Sequence, residues 1–311
     1  MSSNESHGGG RGGGAPAVAA AVAALVLLSG CGAAGTGTGA GGQDAADAAG
    51  GTLASAGPSA TASHAASSAS PGARAEELPL AGRTVVLDPG HNPTNHLHTK
   101  EIDSLVGIGT NRKECDTTGT ETDAGYPEAS YTLDVSRRVR AILAARGAKV
   151  VLTQNGDRPW GPCVDERAEI GNRAHADVAL SIHADGAPAA DRGFHVIAPE
   201  SLHEGAADTR AIAAPSLRLA DDLRADFKAA TGEPFADYLG GGKGLMVRGD
   251  LGGLNLSTVP KVFIECGNMR NARDAASLTD PAWRQRAAEG IANGLTAFLD
   301  RPDQGAPPGK G

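Results

Sequence analysis

Aromatic side chains are scarce in this 311-residue chain, at 3%, and acidic groups outnumber basic ones, 36 to 28, for a net charge of −8. A nucleic-acid binder shows a basic stripe interleaved with stackable rings. Neither is present, so nucleic acid is excluded as a partner, while the acidity speaks to solubility rather than to any ligand. Cysteine is equally sparse. The four residues, Cys31, Cys115, Cys163 and Cys266, include no Cys-x-x-Cys pair, which argues against a thiolate zinc cage. Long apolar runs are missing too: Ala17–Leu28 falls short of the roughly 20 residues that span a bilayer. No internal repeat is visible.

What is present divides the chain unevenly. Residues 1–31 have the layout of an export signal, a Gly/Ser-rich start and an apolar core ending in Leu28-Ser29-Gly30-Cys31. That ending resembles the lipobox of bacterial lipoproteins, which implies cleavage before Cys31 and acylation of its sulfur. The expectation is an exported protein, lipid-anchored in the cell membrane and facing the wall. Residues 32–77 are almost entirely Ala, Gly, Ser, Thr and Pro, too poor in apolar surface to offset ordering entropy, and read as a disordered tether. Residues 78–300 are long enough for one domain, and 301–311 read as a disordered tail. In an exported domain Cys115 and Cys163, both in polar loop-like surroundings, are expected to pair, whereas Cys266 follows an apolar run and is expected to be buried.

Strand and helix signals alternate across the domain. Strands are predicted at Thr84–Asp88, Lys149–Thr153, Val178–His183, Gly193–Ala198, Leu245–Val247 and Lys261–Cys266. Several are continuous apolar runs, as when helices cover both faces of a sheet. Helices are predicted at Pro127–Arg146, Val164–Ala174, Pro215–Thr231 and Pro281–Leu299, punctuated by Gly147, Gly232 and the Asp280-Pro281 cap. The expected fold is α/β: a three-layer α/β/α domain with a twisted, mostly parallel sheet of about six strands. Residues 92–126, polar and Gly/Thr-rich, fit no element well and suggest a functional loop or hairpin over the site.

Three strands end in chemistry. Val85-Val86-Leu87 runs into Asp88-Pro89-Gly90-His91, and Val178–Ile182 runs into His183, a matched pair of imidazoles at carboxyl ends, where α/β proteins place their sites. Glu265 closes a third apolar strand and points away from Ile264 and Cys266 by alternation. On the helix after Pro127, Glu128 falls on the stripe of Tyr131, Val135, Val139, Ile142 and Leu143, aiming a carboxylate inward. A metal ion answers that charge. A first-turn Glu favouring the helix dipole is the structural alternative, and Glu114, Glu121 and Asp123 are the other acidic candidates. Two His, one Glu and an open position make a catalytic rather than structural zinc site, one ion per domain, with Glu265 as general base.

Asp88-Pro89-Gly90-His91, Glu128, Ser181-Ile182-His183-Ala184 and Val262–Asn271 together resemble the zinc-dependent N-acetylmuramoyl-L-alanine amidases of the amidase-3 family, over Arg83 to Leu299. The resemblance implies a peptidoglycan hydrolase that cleaves the amide between N-acetylmuramic acid and L-alanine by zinc-activated water. By position His91, Glu128 and His183 match the zinc ligands and Glu265 the catalytic glutamate. The implied partners are the stem peptide and muramic acid, on a monomer. Two departures stand out: Asn92-Pro93-Thr94 where the family often has Gly-Gly, and Glu265-Cys266-Gly267-Asn268-Met269-Arg270-Asn271 in place of Glu-x-Gly-Phe-x-Ser-Asn. A zinc carboxypeptidase or deacetylase acting on other wall material, and a catalytically silent wall-binding lipoprotein, are the competing readings.

Overall fold

A computed structural model describes residues 78–301. The export signal, Cys31, the tether and most of the tail lie outside the described residues. Six strands form the main sheet: β1 (Thr84–Pro89), β2 (Lys149–Leu152), β3 (Val178–Asp185), β4 (His195–Pro199), β5 (Leu245–Arg248) and β6 (Lys261–Asn268). Their order is β2-β1-β3-β6-β4-β5. The first four in that order are mutually parallel, whereas β4 runs antiparallel to β6 and carries β5 parallel to itself. The sheet is therefore mostly parallel, as expected, with two reversed strands at one edge.

The longer helices are α1 (Glu128–Ala145), α2 (Val164–Arg173), α3 (Arg210–Thr231), α4 (Ala272–Thr279) and α5 (Pro281–Leu299). Alternation along each strand sorts side chains to two unequal faces. Val85, Leu87, Leu180, Ile182, Ala184, Val262, Ile264 and Cys266 join Tyr131, Val135 and Val139 of α1, Leu219 and Leu223 of α3 and Ile291, Leu295 and Phe298 of α5 in the main core. The opposite face holds a small cluster of Val86, Ala176 and Ala179. The polar residues Asp88, Ser181, His183, Lys261 and Glu265 alternate with the main-core positions, so they stand on this thinner side.

Helix ends follow their local chemistry. Asp280 accepts from the backbone N–H groups of Ala282 and Trp283, with Pro281 in the first turn of α5. Gly232 ends α3 in the left-handed conformation at φ 72°. One boundary departs from expectation: α3 begins at Arg210, and Pro215 lies inside it. There the ring removes a backbone bond, but burial of Ile212, Ala213 and Ser216 on the same side keeps the helix intact. Helix α4, not expected from the sequence, is capped by Asn271, whose side chain accepts from the Arg273 and Asp274 backbone N–H groups.

The segment 92–126 packs as a short helix (Thr99–Ile102) followed by a hairpin pairing Leu105–Gly107 with Arg112–Glu114. Cys115 at its base is disulfide-bonded to Cys163, with Cα atoms 4.3 Å apart, and Cys266 is fully buried, both as expected. Among the described residues no helix is long and apolar enough to cross a membrane.

Candidate metal centre

Strand β1 ends against β3, and this adjacency brings the first two imidazoles together. His91, two residues past β1, has φ 61°, a conformation that costs a non-glycine residue free energy and persists only when neighbours fix it. Its carbonyl is held by Gln154 Nε2 at 3.1 Å and Arg167 Nη2 at 3.0 Å. Its ring meets that of His183 edge-on, with centroids 5.0 Å apart. Gly90 is needed for this approach, since a Cβ there would sit 2.3 Å from His183 Cε1. Phe263 stacks on the other face of His183 at 5.2 Å and 14°.

Glu128 enters between the two rings. Helix α1 lies on the main-core side, and its first residue overhangs the carboxyl end of the sheet. Oε2 is 3.2 Å from His91 Nε2, and Oε1 is 3.0 Å from His183 Nδ1. The backbone N–H groups of Thr120 and Ala184 donate to the same carboxylate, at 3.0 and 3.2 Å. Glu128 does stand in the first turn of α1, as the helix-dipole alternative has it, but it is buried at 4% exposure with both oxygens turned onto the imidazoles. Among the described residues, His91, Glu128 and His183 are the one group of three such side chains with ligand atoms all within 4.8 Å. Glu121 and Asp123 are exposed, Asp123 facing Arg270, and Glu114 belongs to the hairpin.

Glu265 comes from β6 as the register partner of His183. It lines, with His91, Glu128, His183 and Arg248, an open cavity of about 280 Å³. A second cavity of about 310 Å³ continues past the two histidines between the hairpin residues Ile108 and Lys113 and the wall of Leu251 and Phe263.

The electrostatics favour a cation. Burial disfavours an imidazolium at His91, yet the carboxylates of Glu128 and Asp116 outweigh it and push the ring up to about 10. Burial likewise opposes a Glu128 anion, but the two histidines hold its carboxyl well below the usual range. Burial first, and then the negative charges of Glu128 and Asp185, push the Glu265 carboxyl well above it. A site that draws a proton onto one histidine and leaves an acid neutral lacks positive charge, and a divalent cation among these nitrogen and oxygen donors would supply it. Imidazole and carboxylate without thiolate suit zinc, with other divalent transition metals as substitutes.

Other residues act at one remove. Asp88 is buried and ion-paired to Arg167 at 2.8 Å and Lys261 at 3.1 Å, with Thr153 and Ser181 donating to its carboxylate, so it touches no member of the trio directly. Asp185 accepts from Tyr238 at 2.9 Å, and Asn271 is a helix cap. Asn92, the first departure from the family pattern, ties the turn to the Arg158 and Gly161 carbonyls. Asn268, in the second, spans the Pro188 and Asp191 carbonyls. Asp116, Phe263 and the close approach at Gly90 were not singled out from sequence. The placement of Asp116 beside Cys115, one of the expected half-cystines, was the one available signal.

A family model described as N-acetylmuramoyl-L-alanine amidase (amidase-3) matches residues 85–297. N-acetylmuramoyl-L-alanine amidase Rv3717 of Mycobacterium tuberculosis is 40% identical over 226 residues, which cover 71% of this chain and 88% of that protein. The crystal structure of the N-acetylmuramyl-L-alanine amidase Ami1 from Mycobacterium smegmatis superimposes with a TM-score of 0.65 at 42% identity, covering 71% of this chain and 98% of its own. The apo form of Ami1 from Mycobacterium abscessus gives the same score and identity, with 100% of its length covered.

Proposed function

The chain belongs to the amidase-3 family of N-acetylmuramoyl-L-alanine amidases, and on that premise we propose how its own residues carry the reaction. The enzyme is a peptidoglycan hydrolase that cleaves the amide joining the lactyl group of N-acetylmuramic acid to L-alanine of the stem peptide. His91, Glu128 and His183 hold one zinc ion, and Glu265 is the general base. The reading rests on one observation above all: the three donors converge within 4.8 Å, and Glu265 lies in register with one of them on the next strand.

Zinc in such a set supplies Lewis acidity, which polarises a carbonyl and lowers the pKa of water. Glu128 balances part of the ion's charge and, through its two backbone donors, is kept from rotating away. Phe263 and the bare Cα of Gly90 fix the plane of His183. Glu265 takes a proton from water as its oxygen attacks the lactyl carbonyl carbon. The C–N bond then breaks, and Glu265 returns that proton to the departing L-alanine nitrogen. One water is consumed; the muramic acid side gains a carboxyl group and the peptide gains an amine.

Mass spectrometry of digested peptidoglycan tests this. Free stem peptides beginning at L-alanine are expected; release of only D-alanine or acetate overturns it in favour of a carboxypeptidase or deacetylase. The segments before residue 78 extend the proposal. Residues 1–31 direct export, Cys31 is acylated, and residues 32–77 give the monomeric catalytic domain, residues 78–300, its reach from the membrane to the wall. Membrane fractionation of wild type and Cys31→Ala checks the anchor: unchanged membrane retention of the variant removes it.

A further inference from the structure

Asp116 lies against His91 on the side away from Glu128. Its Oδ1 is 3.3 Å from His91 Nδ1. The Thr117 carbonyl and hydroxyl oxygens are near the same nitrogen, at 3.1 and 3.2 Å. The carbonyl and the carboxylate can only accept, so this surrounding keeps the proton on Nδ1 and leaves Nε2, the nitrogen beside Glu128, as the one that offers its lone pair once a cation takes the place of its proton. The carboxylate is itself fixed. Oδ2 accepts from Arg167 Nη2 at 2.8 Å, Oδ1 accepts from the Thr117 backbone N–H at 2.8 Å, and the residue is 6% exposed. Arg167 is also met by Asp88 at 2.8 Å, which it shares with Lys261 at 3.1 Å, so the two buried carboxylates balance two buried cations.

The disulfide brackets this pair. Cys115 immediately precedes Asp116, and Cys163 is the N-cap of α2, one turn before Arg167. The Val164 N–H donates to the Cys115 carbonyl at 2.8 Å, so backbone and bridge pin the same joint. From that joint Arg167 reaches both Asp116 and the His91 carbonyl.

We propose that Asp116 is the positioning residue for His91, setting its ring and tautomer toward the metal, and that the Cys115–Cys163 bridge holds Asp116 there, so that metal retention depends on the closed disulfide. The inference rests on the metal-site reading above and assigns a role to a carboxylate and a bridge that touch neither substrate nor ion. Partners of this kind, when lost, weaken metal binding by about 10–100-fold.

The test is zinc affinity of the purified protein, measured by competition with a chromophoric chelator, with the visible spectrum of the cobalt-loaded form as a second readout. Asp116→Asn is expected to bind zinc about 10–100-fold more weakly. Its metal-free melting temperature falls, because Arg167 and Lys261 then share Asp88 alone, so affinity is compared on protein shown to be folded, and its cobalt bands shift. Asp116→Glu, which keeps the charge, is expected to recover part of the affinity. If wild type takes up no zinc, the metal-site reading itself has failed. If wild type binds and Asp116→Asn equals it in affinity and spectrum, the positioning role alone is overturned. Should Asp116→Asn not fold, the Cys115→Ser/Cys163→Ser variant carries the question: similar weakening is expected, and undiminished affinity overturns the inference.

Discussion

His183 and Glu265 are register partners on adjacent parallel strands, β3 and β6. Neighbouring strands lie about 4.8 Å apart, so the spacing between His183 and Glu265, the proposed ligand and base, is set by the sheet and not by a loop. The neighbouring strand on the other side, β1, delivers His91. Three consecutive strands of the sheet thus present the reactive side chains, and only Glu128 comes from a helix.

This arrangement separates binding from proton transfer. Glu265→Gln keeps the shape of the side chain and leaves the trio untouched, so zinc content should stay at one per chain. Amide cleavage should fall by about 10²–10⁴, the usual contribution of a positioned acid–base group. Muropeptide release and metal content measured on the same sample decide it. Full activity in the variant means another group moves the proton.

Gly90→Ala tests the close approach of β1 to His183. A methyl group built 2.3 Å from the ring has to displace it, because Phe263 blocks retreat on the other face. The expected outcome is a folded protein, destabilised by about 1–3 kcal/mol as in other overpacked sites, with metal content well below wild type. Circular dichroism and zinc analysis read the two effects separately. An alanine variant with full zinc would show that His183 tolerates a different ring position.

Lys261 and Asp88, 2% and 1% exposed, form a buried ion pair at 3.1 Å beneath the site. Removing one partner of such a pair leaves a buried charge and typically costs about 3–5 kcal/mol. Asp88 keeps Arg167, so Lys261→Met should fall at the lower end, about 3 kcal/mol, in urea unfolding. Arg167→Met should cost more, since Asp88 keeps Lys261 but the buried Asp116 loses its guanidinium partner.

How much of this was legible depends on whether a residue's partner is near it in sequence. His91, His183 and Glu265 each close an apolar strand, so the period-2 pattern and the strand end marked them. Glu128 was readable from helical periodicity with the core stripe of α1. Asp116 has no such frame: it sits in an irregular segment and acquires meaning only through Arg167, 51 residues away, and His91, 25 residues before it. The same holds for Gly90, whose role is a steric contact between two strands. The reversed direction of β4 and β5 was also hidden, because strand pattern reports burial and not direction. Pro215 misled for a local reason, since a proline that opens one helix can sit inside another when packing outweighs the lost bond.

Glu233 provides a pH signature away from the site. Burial first, then the neighbouring Asp274 carboxylate, outweigh Arg192 and push its carboxyl up from 4.5 to about 7. The folded state therefore holds this proton more tightly than the unfolded state. Its contribution is fully present below about 4.5 and is lost as pH rises through about 7. Stability of wild type should fall across that window relative to Glu233→Gln, which cannot titrate. Parallel melting-temperature profiles for the two proteins would show Glu233 to be an ordinary carboxylate.

Glu128→Ala separates the inward carboxylate from the acids of the loop above it. A ligand that binds only the folded state stabilises it by about 2.7 kcal/mol when its free concentration is 100 times Kd. Zinc at that level should therefore raise the melting temperature of wild type, and chelation should reverse the shift. Glu128→Ala leaves His91 and His183 with no carboxylate between them, so the zinc-dependent shift should vanish. The metal-free variant gains a further contrast. Glu128 also anchors Thr120 and Ala184, so its apo form should melt lower than apo wild type. If Glu128→Ala shows an undiminished zinc shift, a different acid completes the site, and Glu114, on the hairpin that borders the second cavity, is the next to replace.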